Sequence, residues 1–281
     1  MNKLEQSLRE EEIGDEFVLT WKSRRYANKV LVLVEYGYDI DLYYKMFNEN
    51  TELYFTCGCS SMKKIYNHLR GRLTKYIAIK DSDFDRLISK ARWGDNQFIT
   101  DGHDIEMMVI ANEKVRKGIF DNLSIAYKPE IFAKIFMHLI HWSFLRFFNY
   151  KNIVSDIHYP KKLQFGKPNP DSDIAALDDI HGTLSIANRF NQAEFLPEEN
   201  TLITFEDEHR NVDYYELTNG HEFVSFLLFY LKNEVKVSNN LSEGNIRIML
   251  WALYTQDMFK ETRLYHEIYE WQTVNHVQIL K

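Results

Sequence analysis

Two apolar runs stand out of a mixed pattern in the first third of the chain. Val30-Leu31-Val32-Leu33-Val34 and Tyr76-Ile77-Ala78-Ile79 are continuous rather than alternating, the pattern of strands buried on both faces of a parallel sheet. The first ends at Glu35. The second ends, after Lys80, in Asp81-Ser82-Asp83-Phe84-Asp85. Helical spacing follows each turn of this pattern. Residues 39–47 place Ile40, Tyr43, Tyr44 and Phe47 on one face, and 60–70 place Met62, Ile65, Tyr66 and Leu69 inward behind a Ser60 or Ser61 cap. Further short strands are expected at 53–56, closing at Gly58, and at 97–100. Strand, helix, strand, helix, strand, loop, strand, helix predicts an α/β fold, a parallel sheet flanked by helices.

Beyond the fourth strand, Asp101-Gly102-His103-Asp104-Ile105-Glu106 reads as a loop entering a helix near Asp104. Helices continue to about residue 149. The most apolar of them, 131–148, is interrupted by Lys134, His138, His141 and Arg146 and reads as a core helix rather than a membrane span. Pro160, Pro168 and Pro170 mark 159–173 as a linker. Residues 201–205 and 212–217 are expected to pair as a β-hairpin, and 222–232 and 245–258 to form two apolar helices, either core or a homodimer interface. The expected organisation is an N-terminal extension over 1–25, an α/β catalytic domain over 26–125, and a mostly helical C-terminal domain with the hairpin over 126–281.

Composition narrows the class. At 281 residues, 45% hydrophobic and 15% aromatic, the chain is globular, and its net charge of −7 argues against coating nucleic acid by charge alone. The two cysteines, Cys57 and Cys59, lack zinc-site companions and read as reduced thiols. The charged N-terminal stretch has no signal-type apolar region, so a cytoplasmic location is expected.

The acids change the picture most. Clustered carboxylates repel one another unless they hold a cation, and Mg²⁺ (or Mn²⁺) takes hard oxygen ligands while keeping sites for water and phosphate. Asp81 and Asp83, at alternate positions, and Glu35, on a neighbouring strand, are the candidate catalytic and metal-holding residues. Asp85 and Glu106 are further candidate ligands, with Asp39, His103 and Asp104 in support. Arg86, Lys90, Arg92, Lys63 and Lys64 are candidates for substrate phosphates. Each has a plainer reading. Asp85 and Asp104 suit helix caps, His103 and His221 suit local hydrogen bonding, the lysines suit a solvated helix face, and the aromatic run 132–150 suits core.

Val34-Glu35 followed by Asp39, the Asp81-Ser82-Asp83-Phe84-Asp85 run, and Thr100-Asp101-Gly102-His103-Asp104-Ile105-Glu106 together resemble a TOPRIM domain. That domain occurs in topoisomerases, primases, OLD-family nucleases and some ribonucleases. The likeness is closer to a family of stand-alone bacterial TOPRIM proteins that includes the effector of the PARIS anti-phage system. Asn219-Gly220-His221-Glu222 and Thr262-Arg263-Leu264-Tyr265 also fit that family. The resemblance implies a Mg²⁺-dependent nuclease acting on phosphodiesters of RNA, tRNA among them, or DNA. It also implies a toxic defence effector held in check by an ABC-type ATPase partner. No Walker A motif occurs in this chain, so ATP hydrolysis would belong to that partner. One departure stands out: Tyr36 occupies the place where the pattern usually has glycine, and Gly37 comes next. It motivates the alternative of a catalytically inactive TOPRIM-like module that binds an ATPase or nucleic acid.

Overall fold

A computed structural model describes residues 3–155, 163–192 and 195–281. The first elements are α1 (Lys3–Trp21), β1 (Val30–Val34), α2 (Asp39–Met46), β2 (Thr51–Phe55), α3 (Cys59–Leu69), β3 (Tyr76–Lys80) and β4 (Gln97–Ile99). Then come α4 (Ile105–Ile110), α5 (Glu113–Asn122), α6 (Pro129–Ser155), α7 (Pro170–Asp173), α8 (Ile180–Asn188) and α9 (Glu199–His209). The last are α10 (Tyr214–Leu217), α11 (Gly220–Asn233), α12 (Glu243–Leu253), α13 (Gln256–Lys260) and α14 (Arg263–Val274). They fall into two compact units whose segments interleave. The first holds 1–81, 91–101 and 254–281, and the second holds 82–90 and 102–253. The stretch 126–281 is thus divided between units at Tyr254.

The first unit is built on the expected parallel sheet, in the order β2-β1-β3-β4. Val30 to Val34 pair with Thr51 to Phe55 on one side, and Leu31 to Val34 pair with Tyr76 to Ile79 on the other. Every residue of β1 is fully buried, which is why its sequence is an unbroken β-branched and leucine run. Pleating sends Leu31, Leu33 and Ala78 to one face. There they join Phe17, Val18 and Trp21 of α1 and Met62, Ile65 and Leu69 of α3 in one cluster. The N-terminal helix is therefore a packed layer of this unit. On the sheet's flanks α2 packs on β2 and α14 on β4.

Three local expectations are corrected. The hairpin is absent: 201–205 lie within α9, and 212–217 end in the short helix α10. Thr201, Ile203 and Thr204 carry β-branched side chains that suggest a strand. Yet Leu202 and Phe205, three apart, are the buried pair, and that spacing is helical. Asp213 then accepts the Tyr215 N–H and starts a new turn. The cap of α3 is Gly58, at φ +110°, rather than Ser60 or Ser61, and Ser61 is buried with its hydroxyl donating to Glu10. Residues 245–258 form two helices, broken at Tyr254 before the Thr255 cap of α13. Part of the 159–173 linker lies outside the described residues, and its end forms α7.

The second unit centres on α6. This helix has the length and composition of a bilayer span, with 26 residues over Pro129–Val154, but 56% of its most apolar window is buried within the fold. Ile131, Ile135, Leu139, Trp142 and Leu145 follow a helical stripe and are fully buried, and α9 and α11 pack on the helix. Its role as a core helix agrees with the sequence pattern. Neither Cys57 nor Cys59 forms a disulfide.

Side chains tie the returning C-terminal segment to the sheet unit: Trp271 Nε1 donates to Asn96, and Asn48 and Asn50 donate to the Gln278 carbonyl. Asp101, just past β4, accepts the backbone N–H groups of Arg263 at 2.7 Å and Leu264 at 2.9 Å, at the start of α14. These amides have no partner inside the helix. Replacing Asp101 with alanine is expected to cost about 1–2 kcal/mol, with asparagine recovering part of it, measured by urea denaturation.

Candidate functional site

The sheet order decides where a ligand can sit. From β1 the chain crosses to β2 on one side and then to β3 on the other, so β1 and β3 flank the topological switch point. In open parallel sheets the crevice at that point, outside the carboxyl ends of the strands, is the natural binding place. Glu35 and Asp81 are the first residues past those two carboxyl ends. The Asp81 backbone N–H donates to Glu35 Oε1 at 3.1 Å, fixing the glutamate across the switch point.

Asp39 joins them from the turn beyond Glu35. It opens α2, and its Oδ2 accepts the Tyr36 N–H at 3.2 Å while its own N–H donates to the Tyr36 carbonyl. These two bonds close the turn that carries Glu35. Glu35 and Asp39 are buried, and Asp81 is half-buried. Their fields converge on the phenol of Tyr43, a fully buried residue of α2. Its pKa is pushed well above the ordinary tyrosine value, first by burial and then by the charges of Asp39, Asp81 and Glu35. Lys80, which sequence reasoning passed over, is also buried here and donates to the Asp81 carbonyl at 2.6 Å. Its signal was a charge ending an apolar strand.

The remaining predicted acids belong to the second unit and are held differently. Asp83 adopts a left-handed backbone at φ +48°, which aspartate tolerates better than most residues, and its N–H donates to the His103 carbonyl at 2.7 Å. Asp85 is buried, accepts the Tyr150 hydroxyl, and pairs with Lys90 at 3.2 Å. Lys90 also donates to Tyr150 and lies over its ring, so it neutralises Asp85. His103 is buried edge-on to Phe84. Arg86 is half-buried in the same unit.

Asp104 and Glu106 meet the Asn219-Gly220-His221-Glu222 motif. Asp104 caps α4, accepting the Met107 N–H at 3.0 Å, and its second oxygen accepts the Gly220 N–H at 2.6 Å. Glu106 is fully buried and accepts Arg247 Nε at 2.9 Å, and Arg247 also bonds His221 at 2.9 Å. Glu222 accepts Trp142 Nε1 at 3.0 Å and the Arg146 guanidinium. Glu106 and Glu222 thus carry their own counter-charges. In the first unit, Lys63 lies over Trp93, Lys64 pairs with Glu10, and Arg92 pairs with Glu267 at 2.5 Å.

The single acidic constellation of the sequence is therefore distributed. Glu35, Asp39 and Asp81 gather in the first unit, and Asp83, Asp85, His103, Asp104 and Glu106 lie in the second. Among the described residues, no three His, Cys, Asp or Glu side chains are grouped so as to enclose a metal ion. No protein-family model, curated protein or solved structure matches the chain.

The second unit's carboxylates lead to two expected outcomes. A Cβ at Gly220 would lie 2.2 Å from Asp104 Oδ1 and 2.6 Å from Glu106 Cβ, so Gly220→Ala is expected to lower the melting temperature sharply, by several degrees or more. Burial, then the charge of Glu106, holds the Asp104 carboxyl well above its usual range. Ionisation is thus disfavoured in the fold. The unfolded chain ionises first, at about pH 4, and the stability this residue contributes falls as pH rises from there. Guanidinium melts at acidic and neutral pH should show wild type losing stability relative to Asp104→Asn as pH rises.

Proposed function

We propose that the chain is a metal-dependent nuclease that hydrolyses nucleic-acid phosphodiesters. The observation that supports this best is the hydrogen-bonded Glu35–Asp81 pair at the switch point of the parallel sheet, with Asp39 beside it. The donor set fits Mg²⁺ in kind, because that ion uses one or two carboxylates and completes its shell with water and phosphate. Glu35 and Asp81 would hold it, with Asp39 on the adjoining turn. A bound divalent cation would polarise a phosphate oxygen and favour ionisation of water.

The chain's own groups account for the rest. Glu35, oriented by the Asp81 N–H, would take a proton from an attacking water. Asp39 holds the turn that carries Glu35. Lys80, buried beside them, braces the Asp81 backbone carbonyl. The resemblance to stand-alone TOPRIM proteins extends the reading to a toxic effector of bacterial anti-phage defence, with tRNA among its substrates and an ABC-type ATPase as its restraint. Homodimerisation and a cytoplasmic setting belong to the same reading.

A second reading is favoured by Tyr36 in the glycine position: an inactive module that keeps the fold for binding an ATPase or nucleic acid. Incubating the full chain with plasmid DNA, single-stranded DNA and total tRNA in Mg²⁺ or Mn²⁺ separates the two. Cleavage should appear, vanish with EDTA, and fall by roughly 10²-fold or more in Glu35→Gln and Asp81→Asn. Undiminished cleavage in both variants would remove this site. Absence of cleavage together with absence of Mg²⁺ and Mn²⁺ binding by calorimetry would favour the inactive module.

A further inference from the structure

The amino-terminal edge of the sheet carries a charge of its own. Residues 17–34 and 53–80 contain no Asp or Glu, yet they hold ten of the chain's 34 Lys and Arg, in a protein of net charge −7. Each stretch runs into the amino end of a strand. The connector 22–29 enters β1 and the connector 70–75 enters β3, and these strands are parallel neighbours. The connectors are also bonded to each other. The Leu31 N–H donates to the Lys75 carbonyl at 3.0 Å, and Lys75 Nζ donates to the Ala27 carbonyl at 3.0 Å. Lys22, Arg24, Arg25 and Arg70 are exposed there, and Lys75 is half-buried. Two further cations of this edge are neutralised, Lys29 by Glu52 and Arg72 by Asp15. The other five form no ion pair among the described residues. Gly71, between Arg70 and Arg72, turns at φ +74°, and a Cβ there would meet nothing within 4 Å, so the turn opens to solvent. Like charges gathered without counter-charge repel one another and attract an anion from outside.

We propose that this basic edge binds the phosphate backbone of a nucleic acid, as an anchoring surface separate from the acids past β1 and β3. The inference rests on the nuclease reading for its choice of polyanion and adds how the substrate is retained. A protein interface centres on apolar and aromatic side chains, with charge at its rim. Here the order is reversed. Tyr26 and Leu73, the large apolar side chains of the two connectors, pack inward on the core cluster, and the cations reach solvent. Three of the five are arginines, whose planar fork matches phosphate oxygens. Phosphate contacts position a nucleic acid without reading its sequence, so the anchor serves any strand. The edge also meets a need of the site. Carboxylates past the carboxyl ends repel phosphate, so attraction has to come from elsewhere on the molecule. At about 3.3 Å per residue, β1 sets the edge roughly 17 Å from Glu35. A nucleic acid that reaches both spans at least about five base steps of ~3.4 Å.

The test uses the full chain in EDTA, so that binding is read without cleavage. The probes are fluorescein-labelled single-stranded DNA and RNA of about 20 nucleotides, with poly-glutamate as a non-nucleic polyanion. Anisotropy reads affinity between about 50 and 200 mM KCl, the range over which phosphate contacts weaken steeply. Wild type should bind both oligonucleotides, more weakly as salt rises. Arg24→Ala/Arg25→Ala and Arg70→Ala/Lys75→Ala should each lose about tenfold or more at low salt, with the slope of log affinity against log salt shallower by about 1 to 1.5. Arg24→Lys/Arg25→Lys should keep the slope. Lys114→Ala/Lys236→Ala removes the same charge from exposed lysines of the second unit and should bind as wild type does. Unchanged affinity and slope in both edge variants, an equal loss in the Lys114 and Lys236 control, or no oligonucleotide binding by wild type would each overturn the anchor. Poly-glutamate bound as tightly as the oligonucleotides would overturn it in favour of an acidic protein partner. Binding that needs Arg24 and Arg25, in a protein that cleaves nothing with Mg²⁺ or Mn²⁺, sinks the nuclease reading alone. Cleavage that needs Glu35 but proceeds unchanged in both edge variants sinks the anchor alone.

Discussion

Parallel pairing of two strands buried on both faces is the constraint on which the first unit depends. Such strands cannot be joined by a tight turn, so the chain must cross over each time, and α2 and α3 supply the crossovers. The crossovers leave β1 and β3 side by side and pointing the same way, with Val34 opposite Ile79. The residue after either strand is therefore delivered to the same edge. Those residues are Glu35 and Asp81, and the Asp81 amide bonds the glutamate directly. Hydrophobic burial thus fixes the position of a polar site without any polar group having to direct the fold.

The carboxylates of the chain divide by how their charge is met. Four carboxylates of the second unit have named partners: Arg247 for Glu106, Arg146 and Trp142 for Glu222, Lys90 and Tyr150 for Asp85, and two backbone amides for Asp104. Buried charge demands such partners, and a set so arranged acts as structural cement between α4, α11 and α12. At the sheet edge the Asp81 amide bonds Glu35, and Asp39 holds the turn that carries it, which is why the functional reading centres there rather than on Glu106.

Periodicity served well where one signal dominated and failed where two competed. The β1 and β3 runs, the extent of the 39–47 helix and the Asp104 cap were legible from apolar continuity, helical spacing and a capping aspartate. That helix, however, buries Leu42, Tyr43 and Met46 and leaves Tyr44 exposed, so the face expected from Ile40 and Tyr44 is corrected. Residues 201–205 misled because β-branched composition suggested a strand while the buried spacing of Leu202 and Phe205 was helical. The cap of α3 misled because two serines looked like the obvious choice, whereas the chain needed the positive φ that Gly58 provides. The contacts of Asp101 with Arg263 and Leu264, and of Asp104 with Gly220, join residues more than a hundred positions apart, and no local pattern announces them.

Sequence by itself therefore determined the fold class and the identity of the acids, because strand burial and acidic strand ends are written locally in residue order. Tertiary structure decided which acids meet. Strand order put Glu35 and Asp81 at one switch point, the turn at Asp39 brought in a third carboxylate, and ion pairing within the second unit committed Asp85 and Glu106 to neighbours of their own. The physical reason is that a side chain's type is set by its codon, while its partners and solvent exposure are set by packing across long sequence separations. Those partners decide whether a carboxylate caps a helix, pairs with an arginine, or faces a crevice.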